Sequence, residues 1–97
     1  MPLSTTREIL DRALAGRYGV GAFNVACLDM IRPIVEAAED ERAPVILQMA
    51  PSQIEFATLG LAGAAMRAAA EQAKVPVAIH LDHGKTFVDN VGCLRAG

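Results

Sequence analysis

Apolar positions along this chain switch between a helical spacing and short continuous runs. Ile9, Leu10, Ala13 and Leu14 recur at three- and four-residue intervals, one stripe of a helix that reaches about Arg17. Thr5 stands three residues before Glu8, the spacing of a capping box that would start it. Gly19-Val-Gly-Ala-Phe-Asn24-Val then reads as a short strand. Asp29 is placed to cap a second helix, with Ile31, Ile34, Val35 and Ala38 on its buried face and Glu36, Glu39 and Asp40 outside. Pro33 fits only if that helix begins near Asp29, because only first-turn N–H groups lack partners. Pro44 resets the chain, and Val45-Ile-Leu-Gln-Met49 follows as a strand too apolar to be half exposed. Ala50 to Phe56 reads as a loop or a short turn of helix. Leu59 to about Lys74 is an alanine-rich helix, and the run opening at Val75-Pro-Val is a third strand that carries His80 and Asp82. Phe87 to Arg95 starts another helix.

This order predicts an α/β fold built from single βα units around a parallel sheet, open or closed. A closed (β/α)8 barrel needs roughly 250 residues, so the chain supplies about three of its eight units. A free-standing three-stranded sheet would present apolar edges to water. The expectation is therefore that residues 1–97 are the amino-terminal part of a single TIM-barrel domain, the front of a longer protein. No internal repeat or linker divides them.

Composition narrows the function classes. A hydrophobic fraction of 53% excludes a disordered tail, and a formal charge of −2 gives no reason to expect nucleic acid or an anionic membrane as partner. No run approaches the roughly 18 apolar residues of a membrane span, and the first residues lack the pattern of a signal peptide. A cytoplasmic location is expected, with Cys27 and Cys93 as incidental thiols and not a disulfide or zinc-knuckle framework.

The chemistry-bearing residues gather at the carboxyl ends of the strands. Side chains alternate between faces of a strand, so Ala22 and Asn24, Gln48 and Ala50, and His80 and Asp82 share one face. Phe23, Leu47, Met49, Ile79 and Leu81 fall on the other. In a barrel the bulky set packs on helices, and the small and polar set faces the interior and its carboxyl-terminal mouth. That mouth is where parallel α/β folds bind ligands. Asp82 there can move a proton to or from a bound oxygen, or cap the following turn through its carboxylate. His83, at the strand's exit, suits a divalent metal, although the chain holds no third histidine to help complete a site. His80 lies deeper and is expected to support the site rather than ligate. Asn24 is a candidate substrate contact and Ser52 a weaker one. Lys85 sits in a loop past Gly84, outside any desolvating pocket that would suit a Schiff base. Gly19-x-Gly21 lacks the rest of a dinucleotide fingerprint.

Several segments resemble the class II, metal-dependent ketose-bisphosphate aldolases. They are Tyr18-Gly-Val-Gly-Ala-Phe-Asn24-Val, Ile34-Val-Glu-Ala-Ala-Glu, Ala43-Pro-Val-Ile-Leu-Gln48, Val75-Pro-Val-Ala-Ile-His-Leu-Asp-His-Gly84 and Cys93-Leu-Arg-Ala-Gly97. The His-Leu-Asp-His-Gly segment behind a Val-Pro-Val-Ala strand is the specific part. The resemblance implies a TIM barrel that reversibly cleaves a ketose 1,6-bisphosphate, a sugar phosphate, to dihydroxyacetone phosphate and an aldehyde. It implies a zinc ion that polarises the ketone and stabilises its enediolate, Asp82 as proton donor and base, His83 as a zinc ligand, and Asn24 near the substrate. It further implies two more zinc-binding histidines, a glycine-rich phosphate site and a monovalent-cation site, all from later strands, and a homo-oligomer, dimer or tetramer. Many relatives carry serine where this chain has Ala50, which implies either a lost hydrogen bond, with Ser52 as a candidate substitute, or a subfamily with a different substrate. On this reading the 97 residues alone are inactive. Two other readings compete: a complete small α/β binding or assembly protein, and another metal-dependent barrel enzyme, such as a hydrolase pairing His80 with His83.

Overall fold

A computed structural model describes residues 3–97. Helix α1 (Thr6–Gly16) leads to strand β1 (Gly21–Asn24), a 3-10 turn (Leu28–Met30) and helix α2 (Ile31–Asp40). Strand β2 (Val45–Met49) is followed by helices α3 (Pro51–Ala57) and α4 (Leu59–Gln72), then strand β3 (Val77–Leu81) and helix α5 (Phe87–Ala96). The strands form one parallel sheet in the order β1-β2-β3, and the α/β architecture of successive βα units is as expected. Among the described residues no helix is long and apolar enough to cross a membrane.

Local chemistry accounts for most boundaries. The Thr5 hydroxyl accepts from the Glu8 N–H while the Glu8 carboxylate accepts from the Thr5 N–H at 2.8 Å, a complete capping box. Arg17 ends α1 in the left-handed conformation, and the Tyr18 N–H reaches the Ala13 carbonyl at 3.0 Å. Arg42 does the same for α2, with the Ala43 N–H on the Ala38 carbonyl at 2.9 Å, and so turns the chain into β2. These left-handed exits satisfy carbonyls that a helix end leaves unpaired.

One local expectation fails and one alternative is decided. Asp29 does not cap α2: it lies inside the 3-10 turn, Met30 holds the N-cap position, and no side chain accepts there. The turn already runs with helical dihedrals into α2, and Pro33, within the first turn, removes one donor that would need a partner. Of the two readings for Ala50 to Phe56, the short helix is the one that forms, because Pro51 opens it from a position where its missing N–H costs nothing.

The sheet separates two cores. On its outer face Val45, Leu47, Met49 and Val77 pack with Val35 and Ala38 of α2 and with Ala62, Met66 and Ala70 of α4. On its inner face Ile46 and Ala78 pack instead with Ile9 of α1, flanked by Val20. Helix α1 therefore does not join the outer layer; it covers the amino end of the inner face. The same end carries a bridge from Leu3 to Val77, with the Ser4 N–H on the Val77 carbonyl at 2.9 Å. Phe23 departs from its expected packing on helices. It remains 52% exposed because β1 is an edge strand, and its ring folds back over Gly21, where a methyl group would collide with it.

Candidate active site

With the amino end covered by α1, the inner face is polar toward its carboxyl end. The register aligns Asn24, Gln48 and His80 as one row across the three strands. Above this row, Asp82 is held by a last ladder bond, its N–H donating to the Met49 carbonyl at 2.9 Å. The Gln48 amide nitrogen donates to Asn24 Oδ1 at 2.7 Å and reaches Asp82 Oδ2 at 3.4 Å. His83 Nε2 lies 3.7 Å from the same Asp82 oxygen. Gln48 and His83 thus stand at the Asp82 carboxylate, and Asn24 is joined to it through Gln48.

The exit of β3 explains the convergence. His83 takes the left-handed conformation (φ 58°), which turns the chain sharply and leaves its imidazole 78% exposed while the Asp82 side chain is 27% exposed. Gly84 follows, where a Cβ would collide with Asn90 Oδ1 and stand 2.8 Å from Leu81 Cδ2. A side chain at this position would have to displace the Asn90 and Leu81 side-chain ends. Thr86 then caps α5, its hydroxyl accepting from the Asp89 N–H at 3.0 Å. The sequence Asp-His-Gly is therefore a carboxylate, a turn and a close approach in consecutive positions.

Of the residues singled out from sequence, Asn24, Asp82 and His83 come together here. His80 shares the row with Gln48, is exposed, and makes no side-chain hydrogen bond among the described residues. Ser52 is exposed on the first turn of α3, without a hydrogen bond to any member of the cluster. Ala50 offers no hydroxyl, and its N–H is satisfied by Gln53 Oε1 at 2.9 Å. Gln48 is the residue that sequence reasoning put on the correct face but did not assign to the site. The signal was its place between Asn24 and His80 on the polar face of three strands. Among the described residues no three His, Cys, Asp or Glu side chains gather as a metal cage.

The arrangement can hold an oxygen-bearing ligand and exchange a proton with it at a half-exposed carboxylate, beside one exposed imidazole. Comparison with known proteins is consistent with that chemistry. A family model described as "Fructose-bisphosphate aldolase class-II" matches residues 4–97. The fructose-bisphosphate aldolase of Thermus caldophilus is 41% identical over 95 residues, which are 98% of this chain and 31% of that protein. The "probable fructose-bisphosphate aldolase" of Bacillus subtilis is 38% identical over 100 aligned residues, spanning 100% of this chain and 35% of its own length. The crystal structure of the YdjI aldolase from Escherichia coli K12 superposes with a TM-score of 0.91 at 26% identity, covering 98% of this chain and 37% of that one. The chain thus spans about a third of the length of the relatives it matches. Over that span it belongs to the class II fructose-bisphosphate aldolase family.

Proposed function

We propose that this segment forms the proton-transfer corner of a class II aldolase that reversibly cleaves a ketose 1,6-bisphosphate to dihydroxyacetone phosphate and glyceraldehyde 3-phosphate. The observation that carries the reading is the Asp82 carboxylate, fixed by its own backbone at the end of β3 and touched by Gln48 and His83 on one oxygen. In cleavage Asp82 takes the proton from the hydroxyl next to the breaking carbon–carbon bond, so that an aldehyde leaves. In condensation it returns that proton to the aldehyde oxygen. Asn24, at the end of β1, orients a substrate oxygen from the opposite side of Gln48.

The donor set here suits part of a zinc site. His83 is an exposed neutral-type ligand at the mouth, and a catalytic zinc takes about three protein ligands, so the others belong to further strands of the barrel. Zinc, when bound, supplies Lewis-acid polarisation of the ketone carbonyl. His80, one position of the pleat deeper, supports the floor under Asp82 without ligating.

The test is Asp82→Ala in a full-length barrel carrying this segment. Loss of a positioned acid–base group lowers kcat by about 10²–10⁴-fold, while circular dichroism and bound zinc stay at parent levels. Parent kcat in that variant would remove Asp82 from the chemistry.

A further inference from the structure

We propose that Gln48 is a positioning residue: its side-chain amide fixes which atoms of Asn24 and Asp82 face the substrate. The inference rests on the aldolase reading of Asp82 above.

The argument starts from hydrogen-bond capacity. An ionised carboxylate only accepts, so Gln48 must turn its NH2 group, and not its oxygen, toward Asp82. The nitrogen lies 3.4 Å from Asp82 Oδ2 and 2.7 Å from Asn24 Oδ1. Its two hydrogens therefore serve both neighbours at once. The reverse orientation would set the Gln48 oxygen against a carboxylate oxygen, two acceptors with no proton between them.

Two consequences follow for the neighbours. Asn24 has its oxygen occupied by Gln48, so its own NH2 group remains as two donors for a ligand oxygen at the carboxyl end of β1. Asp82 has Oδ2 engaged by Gln48 and faced by His83, which leaves Oδ1 as the oxygen open to a ligand. Register secures the geometry: Gln48 stands opposite Asn24 on one side, and β3 delivers Asp82 on the other.

The experiment compares kcat and KM for fructose 1,6-bisphosphate in a full-length barrel carrying this segment. Gln48→Glu keeps the shape and replaces both donors by acceptors; Gln48→Met keeps the length without polarity. With one hydrogen bond to each neighbour lost or reversed, Q48E raises KM and lowers kcat by about tenfold each, and Q48M by about threefold each. In an Asn24→Ala background Q48E no longer raises KM, because its effect on binding acts through Asn24. A purely structural role would move the melting temperature and leave that coupling absent. Q48E and Q48M both within twofold of the parent, or a KM effect of Q48E that persists in full without Asn24, overturn the inference. Should Q48E not fold, the Q48M constants and their Asn24 dependence decide alone. D82A in the same barrel separates the two claims. An inactive D82A with a parent-like Q48E sinks only the role of Gln48, whereas an active D82A sinks the aldolase reading beneath it.

Discussion

His83 occupies a backbone conformation that a residue with a Cβ adopts at a cost of about 1–2 kcal/mol, and it does so beside the carboxylate of Asp82. Glycine would relieve that strain but adds about 0.4–1 kcal/mol of unfolded-state entropy. In a full-length barrel His83→Gly is therefore expected to be neutral to stabilising by about 0.5 kcal/mol while bound zinc falls, read by thermal denaturation and metal analysis. Marked destabilisation with full zinc content would mean that the imidazole is structural. Thiol chemistry is a second check at this scale. Burial, reinforced by the Asp89 carboxylate, pushes the Cys93 thiol above its ordinary value, whereas Cys27 is exposed. Iodoacetamide at about pH 8 is thus expected to label Cys27 before Cys93, because the thiolate is the reactive form. Equal rates would contradict the packing of Cys93. Sequence alone placed Asp82, His83 and Asn24 at the strand ends that the structure brings together, because strand alternation and the Asp-His-Gly exit are local. It left Gln48 unassigned, because a residue that bridges two others is recognised only when register sets all three side by side.

Helix α1 illustrates what an element's own sequence does and does not tell. Its start is written in the chain: Thr5 and Glu8 cap each other, and Thr5→Ala is expected to cost about 1 kcal/mol, measurable by denaturant unfolding. The Thr5 backbone N–H, then its hydroxyl, hold the Glu8 carboxyl below its ordinary value of 4.5. A depressed carboxyl stabilises the fold fully above the unfolded value and loses that contribution as pH falls through the folded one. Glu8→Gln should therefore lower the melting temperature at about pH 6 by an amount that shrinks as the solution is acidified; a gap that widens in acid would contradict the sign. What α1 packs against was not legible, since its stripe of Ile9 and Ala13 fits any apolar surface and its true partners, Ile46 and Ala78, lie on distant strands. The start of α2 was misread for a related reason. A 3-10 turn can satisfy first-turn donors without the side chain that the Asp29 pattern suggested. In β2, Leu47 is fully buried between α2 and α4, and Leu47→Ala is expected to cost about 2–5 kcal/mol.

For the molecule as a whole, the described residues leave large apolar side chains uncovered. Phe56, Phe87 and Leu94 are each more than four-fifths exposed, and β1 forms an unpaired edge of the sheet. Strand edges and apolar patches of this kind recruit other chains. The 97-residue chain by itself is accordingly expected to self-associate at micromolar concentration in light scattering and to show no zinc-dependent cleavage of fructose 1,6-bisphosphate. A cooperative monomer with measurable activity would refute both expectations. The fold class was readable because runs of Val, Ile and Leu alternate with helical stripes, and because three strands agree on one polar face.

The seat of α1 also has a consequence in time. A ribosome releases Ile9 long before Ala78, the strand residue that completes its socket, roughly 70 positions later. At about 5–20 residues per second, the helix waits several seconds with its apolar stripe facing water. During that interval the nascent chain has a finished outer layer in prospect but no inner one, and a chaperone or protease meets residues 6–16 as loose helix. Helix α1 thus precedes all three strands in the described residues and is locked only when β2 and β3 have assembled.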